Sequence, residues 1–406
     1  MGRMASSFPH LWETLAPIGR EAGGYQRFSW TATDAAARRW FLEQAEQRDM
    51  PAAPDGNGNL WAWWGDPSDG AVVTGSHLDS VPDGGGFDGA LGIVSAFAAI
   101  DDLRRLGLKP RKPIAVACFT EEEGSRFGVA CLGSRLMAGT IEPAAAARLE
   151  DANGKTLAEA MWESGHDPEE LGPTQGRVEL IGAFVELHCE QGKALAPKGL
   201  PIGLGTEIIS HGRWRFVFEG EANHAGTTSI EDRRDPILPM ALMADAARRE
   251  AAAMGALATV GRFRVVPNAT NAVPSRVEAW LDCRAHSQRL VEQVVRSVEA
   301  VAIEASRRHN VDVKLEQESF TPAVKFSDTL RERVRGVLAA EGIASMPLAT
   351  GAGHDAGVLA ARVPTAMIFV RNPTGVSHSP AEHIEPADCL VGVRALAAVL
   401  AELAEG

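Results

Sequence analysis

The stretch AVVTGSHLDSVPDGGGFDGALGIVSAFAAIDDLRRLGLKPRKPIAVACFTEEE, residues 71–123, decides the architecture. It opens on an apolar run that ends in a histidine, crosses a glycine-rich turn, and continues over 90–107 with apolar residues at helical spacing. A second apolar run follows over 114–119 and ends in three glutamates. Apolar run, helix, apolar run is the pattern of a βαβ unit whose parallel strands are buried on both faces. In such sheets the ligand edge lies where the strands end, and here the polar residues gather at those ends.

Working outward, the same grammar recurs. GAFVELHCEQ, residues 182–191, is a third apolar run closing on histidine and glutamate. Upstream, residues 34–48 read as a helix behind a Thr33/Asp34 cap, and NLWAWWG as a strand of the core. Between 212 and 322 the order changes to βαββαβ, which predicts an antiparallel sheet with two helices on one face. From 323 the βα pattern resumes. We therefore expect an α/β protein: a mixed, mainly parallel sheet domain built from residues 1–211 and 323–406, with an α+β domain, residues 212–322, inserted into it.

Composition narrows the function classes. The chain has 406 residues, 45 % of them apolar, enough for a sizeable core and more than one domain. A net charge of −13 argues against a nucleic-acid partner. The five cysteines are scattered and contain no CxxC pair, which fits reduced thiols rather than a disulfide frame or a thiolate metal site. The N-terminal residues lack the basic segment, apolar run and small-residue cleavage site of a leader, and no apolar stretch reaches spanning length. The expectation is a cytoplasmic protein without a membrane partner.

Five candidate groups stand at strand ends or just beyond them: His77, Asp88, Glu122 with Glu123, His188 and His378. Imidazole and carboxylate suit divalent zinc, manganese, cobalt or nickel, and a carboxylate can bridge two ions where imidazole cannot. Asp88 lies in DGGGFDG, a backbone bare enough to bring a carboxylate between two cations. Residues two apart on an extended chain face the same way, so Asp79 could accept the second ring N–H of His77; an HxD pair alone is also an ordinary strand-end pair. An isolated EEE is ordinarily a solvated turn. After a buried-looking strand, however, adjacent carboxylates repel unless cations or protons intervene. One acid on a metal and its neighbour free as a base resolves that conflict.

GSHLDSVPDGGGFDGALG, FTEEEGSRFG, ELHCEQG, ANHAGTT, PNATNAVP, DCRAH, GAGHDA and GVSHSP, in that order along nearly the whole chain, resemble the motifs of the hydantoinase/carbamoylase amidohydrolases, relatives of carboxypeptidase G and the aminoacylase-type metallopeptidases. The resemblance implies two divalent ions, one held by His77, Asp88 and His188 and the other by Asp88, Glu123 and His378, with Glu122 as general base. It implies that the inserted domain serves as lid and homodimer interface, that His224 reaches the partner's site to stabilise an oxyanion, and that Asn271 and Arg284 bind a substrate carboxylate. Gln191, Gly353 and His354 are further substrate contacts on this resemblance. His188 stands where the peptidase relatives are expected to carry a carboxylate, leaving the site more positive by one charge. The implied substrate is a small anionic ureido acid: an N-carbamoyl-L-amino acid, with allantoate as the alternative and aminoacylase or peptidase activity as the third.

Overall fold

The computed structural model describes residues 6–173 and 177–405. The chain divides into two units, Met1–Glu207 with Lys325–Gly406, and Ile208–Val324. The division falls a few residues outside 212–322. Ser210 already pairs with Ala285, so the first strand of the second unit begins in SHG, which carries no apolar signal.

In the first unit, four parallel strands form the centre of a nine-stranded sheet: Ile114–Phe119, Ala71–His77, Ile181–Cys189 and Thr365–Val370. Antiparallel strands flank them, Leu60–Trp64 and Ala52–Pro54 on one side and Ile202–Ile208 on the other. All residues of Ala71–His77, Ile114–Phe119 and Thr365–Val370 are buried, as continuous apolar strands between helical layers should be. The register sets His77 beside Phe119 and Ser76 beside Cys118, so these strands end together at one edge.

The helix Ala90–Arg105 is buried along nearly its full length and packs against the terminal helix Pro386–Glu405. Gly92 permits its approach to the sheet, because a Cβ there would stand 2.4 Å from the Leu187 carbonyl oxygen. The helix that follows the N-terminal helix Phe8–Leu15 spans Ala32–Glu46, two residues earlier than its pattern suggested. Its cap is Thr31, whose hydroxyl accepts the Asp34 amide at 3.3 Å while Asp34 accepts the Trp30 amide at 2.8 Å. NLWAWWG supplies a core strand, and the Trp61 indole donates to Asp55 at 3.1 Å.

The second unit is a four-stranded antiparallel sheet in the order Leu257–Val266, Arg276–Ala285, Ser210–Glu219, Asp312–Thr321, with helices Ile237–Met254 and Gln288–Arg308. The second helix buries Val291, Val294, Val295, Val298, Ala302 and Ala305, the stripe that a 3.6-residue period brings to one face. Ser287 caps it by accepting the Leu290 amide. Among the described residues, no helix is long and apolar enough to cross a membrane.

Candidate metal centre

All four central strands, or the turns and loops after them, deliver side chains to one place. His77 ends Ala71–His77, Glu122 and Glu123 follow Ile114–Phe119, and His188 precedes the last residue of Ile181–Cys189. Asp88 joins them from the glycine turn and His378 from the loop after Thr365–Val370.

Asp88 is the centre of the arrangement. Its Oδ1 lies 3.5 Å from His77 Nε2 and 3.1 Å from His188 Nε2, while Oδ2 lies 3.3 Å from His378 Nε2. His378 Nε2 is also 3.5 Å from Glu123 Oε2. Among the described residues four groups come close enough to hold an ion; His77–Asp88–His188 and Asp88–Glu123–His378 share Asp88, and the others are Glu186–His188–His354 and Asp88–Cys189–Glu382. Backbone holds the two imidazoles of the first group. His77 Nδ1 meets the Asp79 carbonyl at 3.0 Å and His188 Nδ1 the Cys189 carbonyl at 3.0 Å, which turns each Nε2 toward Asp88.

That orientation tests whether the residues suit a cation. With each Nδ1 proton given to a carbonyl, the Nε2 lone pair and the Asp88 carboxylate face one another, and something positive must stand between them. At His188 the Gly89 amide supplies part of this, donating to Nε2 at 3.3 Å. Burial opposes a charged His77, yet Glu122, Asp79 and Asp88 outweigh it and hold the imidazole well above its usual range. Asp88 is pulled well below the carboxylate range, its burial overcome by His188, His378 and His77. His378 is raised to about 9, chiefly by its hydrogen bond to Asp88. Burial pushes Glu122 well above its usual value and Glu123 up to about 7, with neighbouring acids adding. Glu123 Oε1 and Gln191 Oε1 are buried without a hydrogen-bond partner. A nitrogen and oxygen donor set of this kind, excess acid included, fits divalent cations.

The acidic triplet divides its labour. Glu121, in the left-handed region at φ 54°, accepts the Arg126 and Phe127 amides and shapes the turn. Glu122 faces His77, with Oε2 3.5 Å from Nε2, and Glu123 faces His378. Asp79 holds both of them: its carboxylate accepts the Glu122 amide at 3.2 Å and the Glu123 amide at 3.0 Å. Its carboxylate stands 3.6 Å from the His77 ring, so the carbonyl makes the closer contact. The glycines also differ from their sequence reading. A Cβ on Gly89 would strike the His77 ring at 2.5 Å, one on Gly85 the Glu382 side chain at 2.4 Å, and one on Gly86 would crowd Tyr25 at 3.1 Å. They make room for side chains of the protein itself.

Gln191 reaches the same place, donating from Nε2 to Asp88 Oδ2 at 2.9 Å. His354 is buried behind His188, edge to face at a centroid distance of 4.5 Å, and neither of its ring nitrogens has a hydrogen-bond partner. Gly353 beside it is exposed. Two buried acids beneath the site escaped the sequence reading. Glu186 accepts the Ser76 hydroxyl at 2.9 Å and the Ala356 amide at 3.0 Å, and Asp355 accepts the Ser134 hydroxyl at 2.5 Å. Glu186 lies two residues before His188 on one strand, a spacing that could have singled it out.

In the second unit, His224 and Asn271 are neighbours: His224 pairs with Ala272, and the Ala225 amide donates to the Asn271 carbonyl. Both are exposed. His224 Nδ1 accepts the Gly226 amide at 3.0 Å, which leaves the ring proton on Nε2. Arg233 donates to the carbonyls of Ala225 and Thr228, bracing that loop. Arg284 holds Asp282 with two parallel hydrogen bonds, at 2.7 and 3.0 Å.

Known proteins share this plan. Residues 73–402 match the pattern of the family described as Peptidase family M20/M25/M40. The chain is 36 % identical over 403 residues to the N-carbamoyl-L-amino acid amidohydrolase of Geobacillus stearothermophilus, with 98 % of each chain covered. It is 32 % identical over 398 residues to the allantoate amidohydrolase of Bacillus subtilis (strain 168), covering 97 % of this chain and 96 % of that one. The crystal structure of an amidase of the hydantoinase/carbamoylase family from Burkholderia multivorans superposes with a TM-score of 0.89 at 30 % identity, over 99 % of both chains.

Proposed function

Since the chain belongs to peptidase family M20/M25/M40, and within it to the hydantoinase/carbamoylase amidohydrolases, we propose that it hydrolyses the ureido group of an N-carbamoyl-L-amino acid. One water enters, the ureido carbonyl leaves as carbon dioxide, and the two nitrogens leave as ammonia and the free L-amino acid. The observation that carries this reading is His188. An imidazole 3.1 Å from Asp88, where a carboxylate would add a negative charge, leaves a centre suited to a small anionic ureide.

Two divalent ions, of zinc, manganese, cobalt or nickel, would be held by His77, Asp88 and His188 on one side of Asp88 and by Asp88, Glu123 and His378 on the other. When bound they polarise the ureido carbonyl and acidify water. Glu122 is the general base: it takes the proton of the attacking water and delivers it to the leaving nitrogen. Burial favours its protonated form, which suits the second half of that task. Asp79 fixes Glu122 and Glu123 by their amides. Gln191, Gly353 and His354 complete the near wall.

His224 of the partner subunit donates from Nε2 to the developing oxyanion, and Asn271 and Arg284 bind the substrate carboxylate. The substrate has to compete with Asp282 for the Arg284 guanidinium. A homodimer through the second unit, acting as lid and interface, is supported by the surface of that unit. Leu257, Phe263 and Val266 are exposed on the edge strand Leu257–Val266, and Leu238 and Leu242 on the helix Ile237–Met254. An edge strand with exposed apolar residues is a template for pairing with a second chain. The reaction consumes only water and a small ureide, as befits a cytoplasmic enzyme.

Allantoate is the second reading, favoured by the allantoate amidohydrolase among the relatives. Ammonia release from the manganese-loaded protein, offered N-carbamoyl-L-amino acids, their D-enantiomers, allantoate and an N-acetyl amino acid, separates the readings. Turnover of the L-carbamoyl compounds supports the first. Turnover of allantoate alone replaces it with the second, and amino-acid release from the N-acetyl compound alone points to aminoacylase chemistry.

A further inference from the structure

Glu382 is a buried carboxylate that makes no ion pair within 4.0 Å among the described residues, and none of the steps above uses it. Its oxygens are satisfied by two loops. Oε1 accepts the Phe87 amide at 2.7 Å and the Asp88 amide at 3.0 Å. Oε2 lies 3.2 Å from the Ser377 hydroxyl, which is itself 3.2 Å from Asp88 Oδ2. A turn closed by the Glu382 amide on the Ser379 carbonyl brings the side chain back over its own loop.

We propose that Glu382 is the positioning residue that ties the loop carrying Asp88 to the loop carrying His378, and so sets the spacing of the two ligand groups. Three observations converge. Each loop is gripped at a ligand or next to one: Asp88 by its own amide, and His378 through the adjacent Ser377. The grip is made by a charged acceptor, whose hydrogen bonds are roughly twice as strong as neutral ones. Gly85 is shaped to the same carboxylate, since a Cβ there would stand 2.4 Å from Oε1 and 2.5 Å from Cδ. The glycine run and the residue four places after His378 are thus two halves of one clamp, although almost 300 residues apart in sequence. A buried carboxylate without a counter-charge is a poor way to gain stability, because its desolvation offsets what its hydrogen bonds return. Holding Asp88 and His378 in register accounts for it.

The inference rests on the reading of this site as a metal centre, and the test keeps the two apart. Metal-free wild type, Glu382→Ala and Glu382→Gln are titrated with Co²⁺, read by its visible absorption bands and by calorimetry. Thermal melts of the metal-free proteins are recorded alongside. Glu382→Ala should bind Co²⁺ about 10–100-fold more weakly, the range for loss of a residue that orients ligands, with altered bands. Glu382→Gln keeps an oxygen for the Phe87 and Asp88 amides and should restore most of the affinity and the spectrum. Wild-type affinity and bands in folded Glu382→Ala overturn the clamp while leaving the metal centre standing. A wild type that takes up no Co²⁺ overturns the metal centre and the clamp with it. Should Glu382→Ala not fold, Glu382→Asp decides: one methylene shorter, it cannot span both loops, and wild-type Co²⁺ affinity in that variant overturns the proposal.

Discussion

Replacing Asp79 with alanine separates two supports that the structure shows side by side. The Asp79 carboxylate accepts the amides of Glu122 and Glu123, whereas the His77 ring is held by the Asp79 carbonyl, which alanine keeps. The variant therefore releases the two glutamates and leaves His77 oriented. Each amide left buried without an acceptor costs about 1–3 kcal/mol, so the pair costs about 2–6 kcal/mol. Folded domains are stable by about 5–15 kcal/mol, so the metal-free variant should fold and unfold at lower urea. The catalytic loss should be larger in proportion. Glu122 is the proposed base, and misplacing a reacting group by about 1 Å costs about 100-fold. Urea unfolding of the metal-free proteins gives the first quantity, and kcat/KM of the metal-loaded proteins on their best ureide gives the second. Asp79→Asn keeps one acceptor and should fall between wild type and alanine in both. An alanine variant with the wild-type urea midpoint and wild-type turnover would refute the assignment of Asp79 as the support of Glu122 and Glu123.

Other outcomes follow from the same geometry. Glu122→Gln should keep its bound metal and lose about 10²–10⁴-fold in kcat, the contribution of a positioned general base; metal analysis beside steady-state kinetics checks it, and near-normal turnover removes Glu122 from that role. Arg284→Ala should raise KM for anionic ureides with little change in kcat, because it binds ground state and transition state alike. An unchanged KM would leave Arg284 as the partner of Asp282 and nothing more. Mixing inactive His224→Ala and Glu122→Gln subunits should restore part of the activity if His224 acts across a dimer. No recovery after demonstrated subunit exchange would place every group of a site within one chain.

The sequence made the strand-end chemistry legible for a simple reason. Parallel strands buried on both faces read as continuous apolar runs whose polar residues gather toward the ends, so His77, Glu122, Glu123 and His188 could be assigned to one edge before any coordinates. The residues that support them were not legible. Glu186, Asp355 and Glu382 bond to hydroxyls and backbone amides far away in the chain, and no periodicity marks such a partner. The glycine run was read as clearance for ions, but its clearance is for Glu382, Tyr25 and His77, visible only once residues 25 and 382 are folded against it. The helix start was misplaced by two residues because Thr31 and Thr33 both offer a hydroxyl, and only the reciprocal Trp30–Asp34 bond selects Thr31.

The central claim is that Asp88 joins two metal groups into one hydrolytic centre. Its most direct test is to strip the protein of metal, add manganese in measured equivalents, and follow bound metal and ammonia release from an N-carbamoyl-L-amino acid together. The account predicts no turnover without metal and binding that saturates at two equivalents per chain, with both equivalents lost when Asp88 is replaced by alanine. Full turnover by the stripped protein, or two equivalents retained by the Asp88→Ala variant, would contradict it.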